Sequence, residues 1–536
     1  MAEQELRIAG MYCSHCAQRV QVAVEAAGGR DVEVDWQQGR ATVGSGELDL
    51  TKLQRELAGT RYTLLAPTPE PHRDGAEPAL ADPDWGKRDY NLVVVGSGSA
   101  AFAAAIKAKD LGLSVLLIEQ GTVGGTCVNI GCVPSKTLIA AALEVPRRPT
   151  LGEAVERKNG LVAKLRQAKY LDLLDLYGIE LRHGRAQLTD PHTVSVDGAK
   201  VTADVILIAT GAEPAAPPIE GLAEVGYLTS TTALDLPEPP RRLAVIGAGA
   251  VGLELGQALG KFGSQVAFIE MARTAPTEEP ELAARLRELL EREGHTVLER
   301  AAVQRVAKQG KETVVFGEAG GEPFSFAVDA VLVATGRRPN SAGLGLERLG
   351  VTTDRSGAIV VDPYQQTTVP SIYAAGDVAN QPQFVYVAAA GGTVAVENAF
   401  AGAKRSLDLD TLPRVIFTSP QLASAGLTQQ EAEERGRSVT TSLLEFEAVP
   451  RALLEGWTDG LVKLVADRET GRLVGGSVLA PNGGDLVQAL VYALRAGFTV
   501  SELADSWSPY LTFSEALKLA AQSFTKDPAT LSCCAA

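Results

Sequence analysis

Cysteine and histidine are scarce in this chain: six and five in 536 residues. So few cysteines over such a length exclude a small disulfide-stapled fold. Long apolar runs are also missing. No stretch reaches 18 uninterrupted apolar residues, so no membrane-spanning helix and no membrane insertion is expected. The opening "MAEQELRIAG" lacks a basic region followed by an apolar one, so it does not read as a secretory signal. Basic charge is in deficit, with 50 Lys and Arg against 65 Asp and Glu and a net charge of −15. That balance argues against nucleic acid or an anionic membrane as the main partner. The expected location is the cytoplasm, where structural disulfides are rare and cysteines serve redox or metal chemistry.

The six cysteines fall into three pairs: Cys13/Cys16, Cys127/Cys132 and Cys533/Cys534. Residues 1–66 read as a small α+β unit, in which "CAQRVQVAVEAAGG" has helical spacing and Thr51 is the expected N-cap of a second helix. Residues 67–88 are rich in Pro, Ala and acid with no apolar period, which describes a solvated linker. From Tyr90 strands alternate with helices, as in doubly wound α/β domains. Beyond about residue 410, segments such as "LVKLVAD" and "GRLVGGSVLA" indicate a separate α+β domain.

Two glycine fingerprints carry the first chemistry. "VVVGSGSAAFAAA" sets Gly96, Gly98 and Ala101 between a strand and a helix, and Glu119 ends the next strand. "AVIGAGAVGLELG" sets Gly247, Gly249 and Gly252 likewise, with Glu270 at its strand end. Such glycines let the backbone approach a pyrophosphate at a helix N-terminus, and the acid binds a ribose hydroxyl. One fingerprint is weak; two with the acid at the same offset point to two dinucleotides, and so to electron transfer from a nicotinamide to a flavin. Glu270 favours the free hydroxyls of NADH, whereas Arg273 is close enough to bind the 2′-phosphate of NADPH. The balance leans to NADH, or to both.

"GGTCVNIGCVPSK" follows the first fingerprint, with Cys127 and Cys132 five residues apart and Pro134 suited to a first helical turn. Cys132 then lies near a helix N-terminus, which favours its thiolate. C-V-N-I-G-C-V-P-S-K resembles the redox motif of the pyridine nucleotide–disulfide oxidoreductases, the family of lipoamide dehydrogenase and glutathione reductase. "ATG" at Ala209–Gly211, "ATGRRPN" at Ala334–Asn340 with its Gly336, and "YAAGDV" at Tyr373–Val378 follow in family order, so the resemblance spans roughly residues 90–525. It implies an α/β fold of two doubly wound nucleotide-binding domains, for FAD at 89–225 and NAD(P) at 226–337. A central domain at 338–410 would complete the FAD site, and 411–536 would be an α+β dimerisation domain. It implies a homodimer with active sites shared between subunits, Cys132 proximal to the flavin and Cys127 the exchanging thiol. Lys136 and Glu254 would be an ion pair beside the flavin, and Gly121, Thr126, Ala186, Asp377 and Val385 match FAD-contacting positions.

The C-terminal segment departs from the disulfide-reducing members, which carry a His-Pro-x-x-Ser-Glu segment whose histidine protonates the leaving thiolate. Here the stretch is "SPYLTFSEALKLA", with Tyr510 at the histidine position, and no histidine follows His295. A tyrosine, with a pKa of about 10, is a poor donor for that step near neutrality. Soft thiolates select soft metals, and Cys533/Cys534 in the terminal "LSCCAA" can take an ion and pass it on by ligand exchange. The resemblance is then to the metal-reducing members, with Tyr170 in "AKY" matching a second active-site tyrosine. It implies reduction of Hg(II), the substrate, to Hg(0) at the expense of NADPH or NADH, as part of mercury detoxification. "GMYCSHCAQRV" resembles the heavy-metal-associated domain, a small βαββαβ ferredoxin-like fold that holds one soft ion between residues here numbered Cys13 and Cys16. Expected partners are small thiols carrying Hg(II) and a mercury transporter. Two alternatives stay open: a disulfide reductase with a fused metal domain, and a metal-trafficking protein whose flavin core only keeps its thiols reduced.

Overall fold

The computed structural model describes residues 4–9, 14–35, 40–46, 48–57, 63–64, 88–310 and 312–526. The chain forms two compact units, Met1–Asp82 and Pro83–Ala536.

In the first unit the element order is βαββαβ, with strands Gln4–Ala9, Arg30–Asp35, Arg40–Ser45 and Thr63–Leu64 and helices Ser14–Ala26 and Leu50–Leu57. The strands form one antiparallel sheet in the order second, third, first, fourth. Val20, Val24 and Leu53 of the two helices pack on Leu6, Val32, Ala41 and Val43 of the sheet. The second helix is capped by Asp49, whose Oδ1 accepts the Thr51 and Lys52 N–H groups at 2.9 and 3.0 Å. Thr51 is therefore inside the helix, because the Asp49 carboxylate already accepts two free amides of the first turn, one of them that of Thr51 itself. Cys16 lies in the first turn of Ser14–Ala26; its side chain and all of Cys13 fall outside the described residues.

The second unit holds the two doubly wound sheets. In the first, Tyr90–Val95 runs parallel to Val115–Glu119 on one side and to Ala199–Ile208 on the other. The register pairs Val94 with both Leu117 and Leu207, so the "LVVV" run is buried on both faces. Ile372–Ala374, from the stretch after the second nucleotide sheet, adds to the far side of Ala199–Ile208. The chain thus returns to complete the sheet it began with.

The second sheet places Thr296–Leu298, Gln265–Ile269, Arg242–Ile246 and Ala330–Val333 in parallel. Phe268 at its centre is fully buried. Beyond it, Pro413–Ile416, Gln421–Gly426, Leu473–Ala480, Leu461–Asp467 and Val439–Glu445 make a five-stranded antiparallel sheet. Leu473–Ala480 is buried along its whole length. One face of this sheet, through Leu422, Leu461 and Leu479, joins the core of the second nucleotide sheet. The other, through Val462, Leu464 and Val478, packs on helices Gly483–Ala496 and Glu515–Gln522. Covering on both faces explains why these strands read as continuous apolar runs rather than alternating ones. Among the described residues no helix is long and apolar enough to cross a membrane.

Candidate active site

Each fingerprint begins with a glycine that nothing else can replace. Gly96 has φ +116°, and a Cβ there would stand 2.3 Å from the Ala209 carbonyl oxygen. Gly247 has φ +102°, and its Cβ would stand 2.5 Å from the Ala334 oxygen. The two Ala-Thr-Gly landmarks therefore do the same job, each closing over the first glycine of a fingerprint. The following helices, Ser99–Asp110 and Ala250–Lys261, start at Gly98 and Gly249 with no side-chain cap, leaving N–H groups for an anion. Ala101 is fully buried under the first turn, and a Cβ on Gly252 would meet the Gly247 oxygen at 1.9 Å.

The strand-end acids are also placed alike. Glu119 accepts from Ser97 Oγ and from the Gly121 amide, both at 2.6 Å. Glu270 accepts from the Ala248 and Ala272 amides at 2.8 and 3.0 Å. Arg273 is turned into its own loop, donating to the carbonyls of Ala275, at 3.1 Å, and of Glu278.

The thiol pair sits where two helices abut. Gly124 and Gly125, at φ +106° and +64°, turn the chain into Gly125–Ile130, which carries Thr126 and Cys127. Gly131 breaks that helix and caps Cys132–Ala142, so Cys132 is the first residue of the second one. A Cβ on Gly125 would lie 2.6 Å from Gly98 Cα, so the thiol helix is pressed against the first fingerprint.

Both thiols are free and half-buried. The Cys127 S–H donates to the Cys132 sulfur, which brings the Cys132 pKa down to about 7 against the opposing effect of burial. The Lys136 ammonium and the backbone N–H of Cys132 itself push the same way. Cys127, holding the shared proton and losing solvent, is pushed well above the ordinary thiol range. Lys136 Nζ lies 2.6 Å from Glu254 Oε2 and 4.6 Å from the Phe417 ring centroid. Glu254 is buried, and its other oxygen accepts the Phe417 amide at 3.0 Å.

A cavity of about 510 Å³ joins these parts, running from Gly96, Gly98 and Glu119 to Thr126, Cys127, Cys132, Lys136 and Glu254. Gly211, Asp377 and Val385 line it as well. Asp377 is held above the usual carboxylate range by burial, opposed by Arg337, whose Nε is 3.7 Å away. Arg337 Nε is itself buried without a hydrogen-bond partner. A cavity lined by uncapped helix N–H groups, a guanidinium nitrogen without a hydrogen-bond partner and two thiols fits a flavin dinucleotide. The second fingerprint, with its open space at Gly249 and a fixed carboxylate at the strand end, fits the adenosine half of a nicotinamide coenzyme.

Tyr170 lies in a π-helical turn, Gln167–Leu171, of the kind frequently found at functional sites. Its ring meets Phe102 edge-on at 4.9 Å, and Ser99 bonds its hydroxyl. Burial raises its pKa, and a Cβ on Gly124 would lie 3.4 Å from its ring, so the ring packs on the turn that leads into the thiol helix. Other residues from the sequence reading stand apart from the cavity. Ala186 is buried in a strand, Gly336 turns at φ +132°, and Tyr510 is half-exposed in the turn before Glu515–Gln522. Cys533 and Cys534 fall outside the described residues.

Tyr386, Phe384, Phe417, Ser97 and Arg337 line the cavity and escaped the sequence reading. Tyr386 stacks on Phe384 with ring centroids 5.3 Å apart and donates its hydroxyl to the Pro413 carbonyl. Burial lifts its pKa to about 12, with Arg414 opposing and Cys132 adding. The "FVY" triplet at the start of Val385–Ala401 was the available signal: two aromatics beside a motif in a chain poor in them.

The chain belongs to the pyridine nucleotide-disulphide oxidoreductase family. The family model matches residues 90–392, and the model of the family's dimerisation domain matches residues 412–521. Among curated proteins, the mercuric reductase of Staphylococcus aureus is 42% identical over 547 residues, 99% of each chain. That of Streptomyces lividans is 46% identical over 83% of this chain and 98% of its own. That of Bacillus cereus is 40% identical over all of this chain and 87% of its own. Among solved structures, the Cu(II) complex of the HOCl-induced flavoprotein disulfide reductase RclA from Escherichia coli superposes with a TM-score of 0.75. It is 32% identical, and the match covers 82% of this chain and 99% of that one.

Proposed function

We propose that this protein is a homodimeric flavoprotein that reduces Hg(II) to Hg(0) with NAD(P)H. The observation that carries the reading is the Cys127/Cys132 pair on the cavity, in a chain with no histidine beyond His295 to protonate a leaving thiol. Similarity to mercuric reductases over nearly the whole chain supports it. NAD(P)H is oxidised to NAD(P)+ and a proton, and Hg(II) takes up the two electrons.

When bound, FAD supplies the relay that turns a hydride into an electron pair. Ser99–Asp110, Glu119, Arg337 and Asp377 would hold it, and Ala250–Lys261 with Glu270 would hold the nicotinamide coenzyme. Cys127, the exchanging thiol, would meet Hg(II) first and release the proton it shares with Cys132. Cys132, proximal to the flavin and the more readily ionised of the two, would complete a linear pair of soft ligands. Lys136 offsets the second negative charge, and Glu254 keeps Lys136 in place. The neutral metal has little affinity for thiolates and leaves. Tyr170 and, from the other subunit of the homodimer, Tyr510 would flank the bound ion. Cys13/Cys16 would collect Hg(II) from small thiols or a transporter, and Cys533/Cys534 of one subunit would pass it to Cys127/Cys132 of the other. This chemistry suits the cytoplasm, where NAD(P)H and thiols are abundant.

A copper substrate is the second reading, favoured by the Cu(II)-bound structure of the RclA relative. The test is mercury vapour stripped from flavin-loaded protein given Hg(II), excess small thiol and either coenzyme. Coenzyme-dependent vapour is expected. Its absence from an enzyme whose flavin NAD(P)H still reduces would overturn the mercury reading, and coenzyme oxidation driven by Cu(II) would move it to copper.

A further inference from the structure

Nicotinamide coenzymes differ at the 2′ position of the adenosine ribose, and Glu270 stands at the strand end where that position is read. Its carboxylate cannot swing aside without orphaning the Ala248 and Ala272 amides, both of which it accepts. The loop that follows is tied at nearly every residue. Thr274 N–H donates to Glu299 at 2.7 Å and Ala275 N–H to the Ala248 carbonyl at 2.9 Å. The buried Glu278 accepts from Ser424 at 2.6 Å and lies 3.4 Å from Arg414. The buried Glu279 accepts from the Gln429 amide at 2.7 Å and from Lys463 at 2.9 Å. These bonds fasten the coenzyme loop to the antiparallel sheet of the C-terminal domain.

Inside that fixed loop the Arg273 guanidinium bridges the carbonyls of Ala275 and Glu278. An arginine that left to meet a phosphate would strand both. The charge presented at the ribose is therefore that of Glu270, and a 2′-phosphate bears nearly two negative charges of its own. We propose that the site selects NADH: Glu270 takes the ribose hydroxyls, and Arg273 is a positioning residue of the loop rather than a phosphate ligand. The proposal rests on the assignment of Arg242–Glu270 as the nicotinamide coenzyme site. Arg300, exposed and joined through its N–H to the Ala272 carbonyl, is the neighbouring cation that must be tested beside it.

The experiment is calorimetric titration of the flavin-loaded dimer with ADP-ribose and with 2′-phospho-ADP-ribose. We expect the first to bind at least about tenfold more tightly. Glu270→Gln should bring the two within about threefold, since the repulsion goes and one hydrogen-bond acceptor stays. Arg273→Ala, or Arg273→Gln if the first does not fold, should leave the ratio of the wild-type protein unchanged. Equal or tighter binding of the phosphorylated ligand by the wild-type protein would overturn the proposal. So would a tenfold loss confined to that ligand in Arg273→Ala or Arg300→Ala. Mercury vapour is measured separately with both coenzymes, so failure of the reductase reading is told apart from failure of this one.

Discussion

Glu254 holds Lys136 with one carboxylate oxygen and the Phe417 amide with the other, at 2.6 and 3.0 Å. One buried side chain thus links the thiol helix, the second fingerprint helix and the first strand region of the C-terminal sheet. Glu254 is buried and Lys136 is not, so losing the lysine leaves a carboxylate uncompensated in a low-dielectric setting, which is costly.

The pH dependence of the thiol pair follows from its surroundings. The hydrogen bond from Cys127 first, and then the Lys136 ammonium, bring the Cys132 pKa down to about 7. Alkylation of the reduced enzyme should be slow below that pH, where Cys132 is a thiol, and fast above it. Lys136→Met removes a cation that favours the thiolate, so the midpoint should move upward. An unmoved midpoint in rapid-mixing alkylation would separate Lys136 from Cys132.

Gly96→Ala places a methyl group against the Ala209 carbonyl in a left-handed backbone conformation. The strain should cost on the order of 1–3 kcal/mol or shift the turn. The purified variant should carry far less flavin per chain, measured from its visible absorbance. Full flavin content would show that the turn yields without harm.

Lys463 is buried between Glu279, at 2.9 Å, and Glu281, at 2.8 Å. Lys463→Met leaves Glu279 as an unpaired buried charge, a loss of roughly 3–5 kcal/mol. The guanidinium midpoint should fall, and adding Glu279→Gln should recover part of it. Equal midpoints for wild type and the single variant would show that water already reaches the pair.

Replacing Cys533 and Cys534 together with Ala should lower turnover of thiol-bound Hg(II) by at least about tenfold, as expected when a ligand-exchange step is lost. Reduction of the Cys127–Cys132 pair by coenzyme should continue at the wild-type rate. Undiminished mercury vapour would remove the tail from the delivery route.

The fingerprints and the thiol pair were legible in the sequence because each is a local device. A glycine at a left-handed turn and two cysteines astride a helix start are set by neighbours in the chain. What escaped depends on partners far away in sequence. Phe417 meets Glu254 across 163 positions, and Asn340 closes on Thr210 across 130. Arg337 lies within a landmark motif, but its unpartnered nitrogen shows only once the cavity is closed. Thr51 lost its place as a cap to Asp49 for a local reason: both residues can cap, and spacing alone does not rank them.

Gly96 under Ala209 and Gly247 under Ala334 are one solution used twice within a single polypeptide. The turns are held in common, but the stretch after each acid differs: Gly121 follows Glu119, and the Ala272–Glu279 loop follows Glu270. Choice of electron donor is thereby separated from the chemistry of the metal. On the selectivity proposed above, a change of electron donor would fall to the loop after Glu270 and leave the thiol centre as it stands.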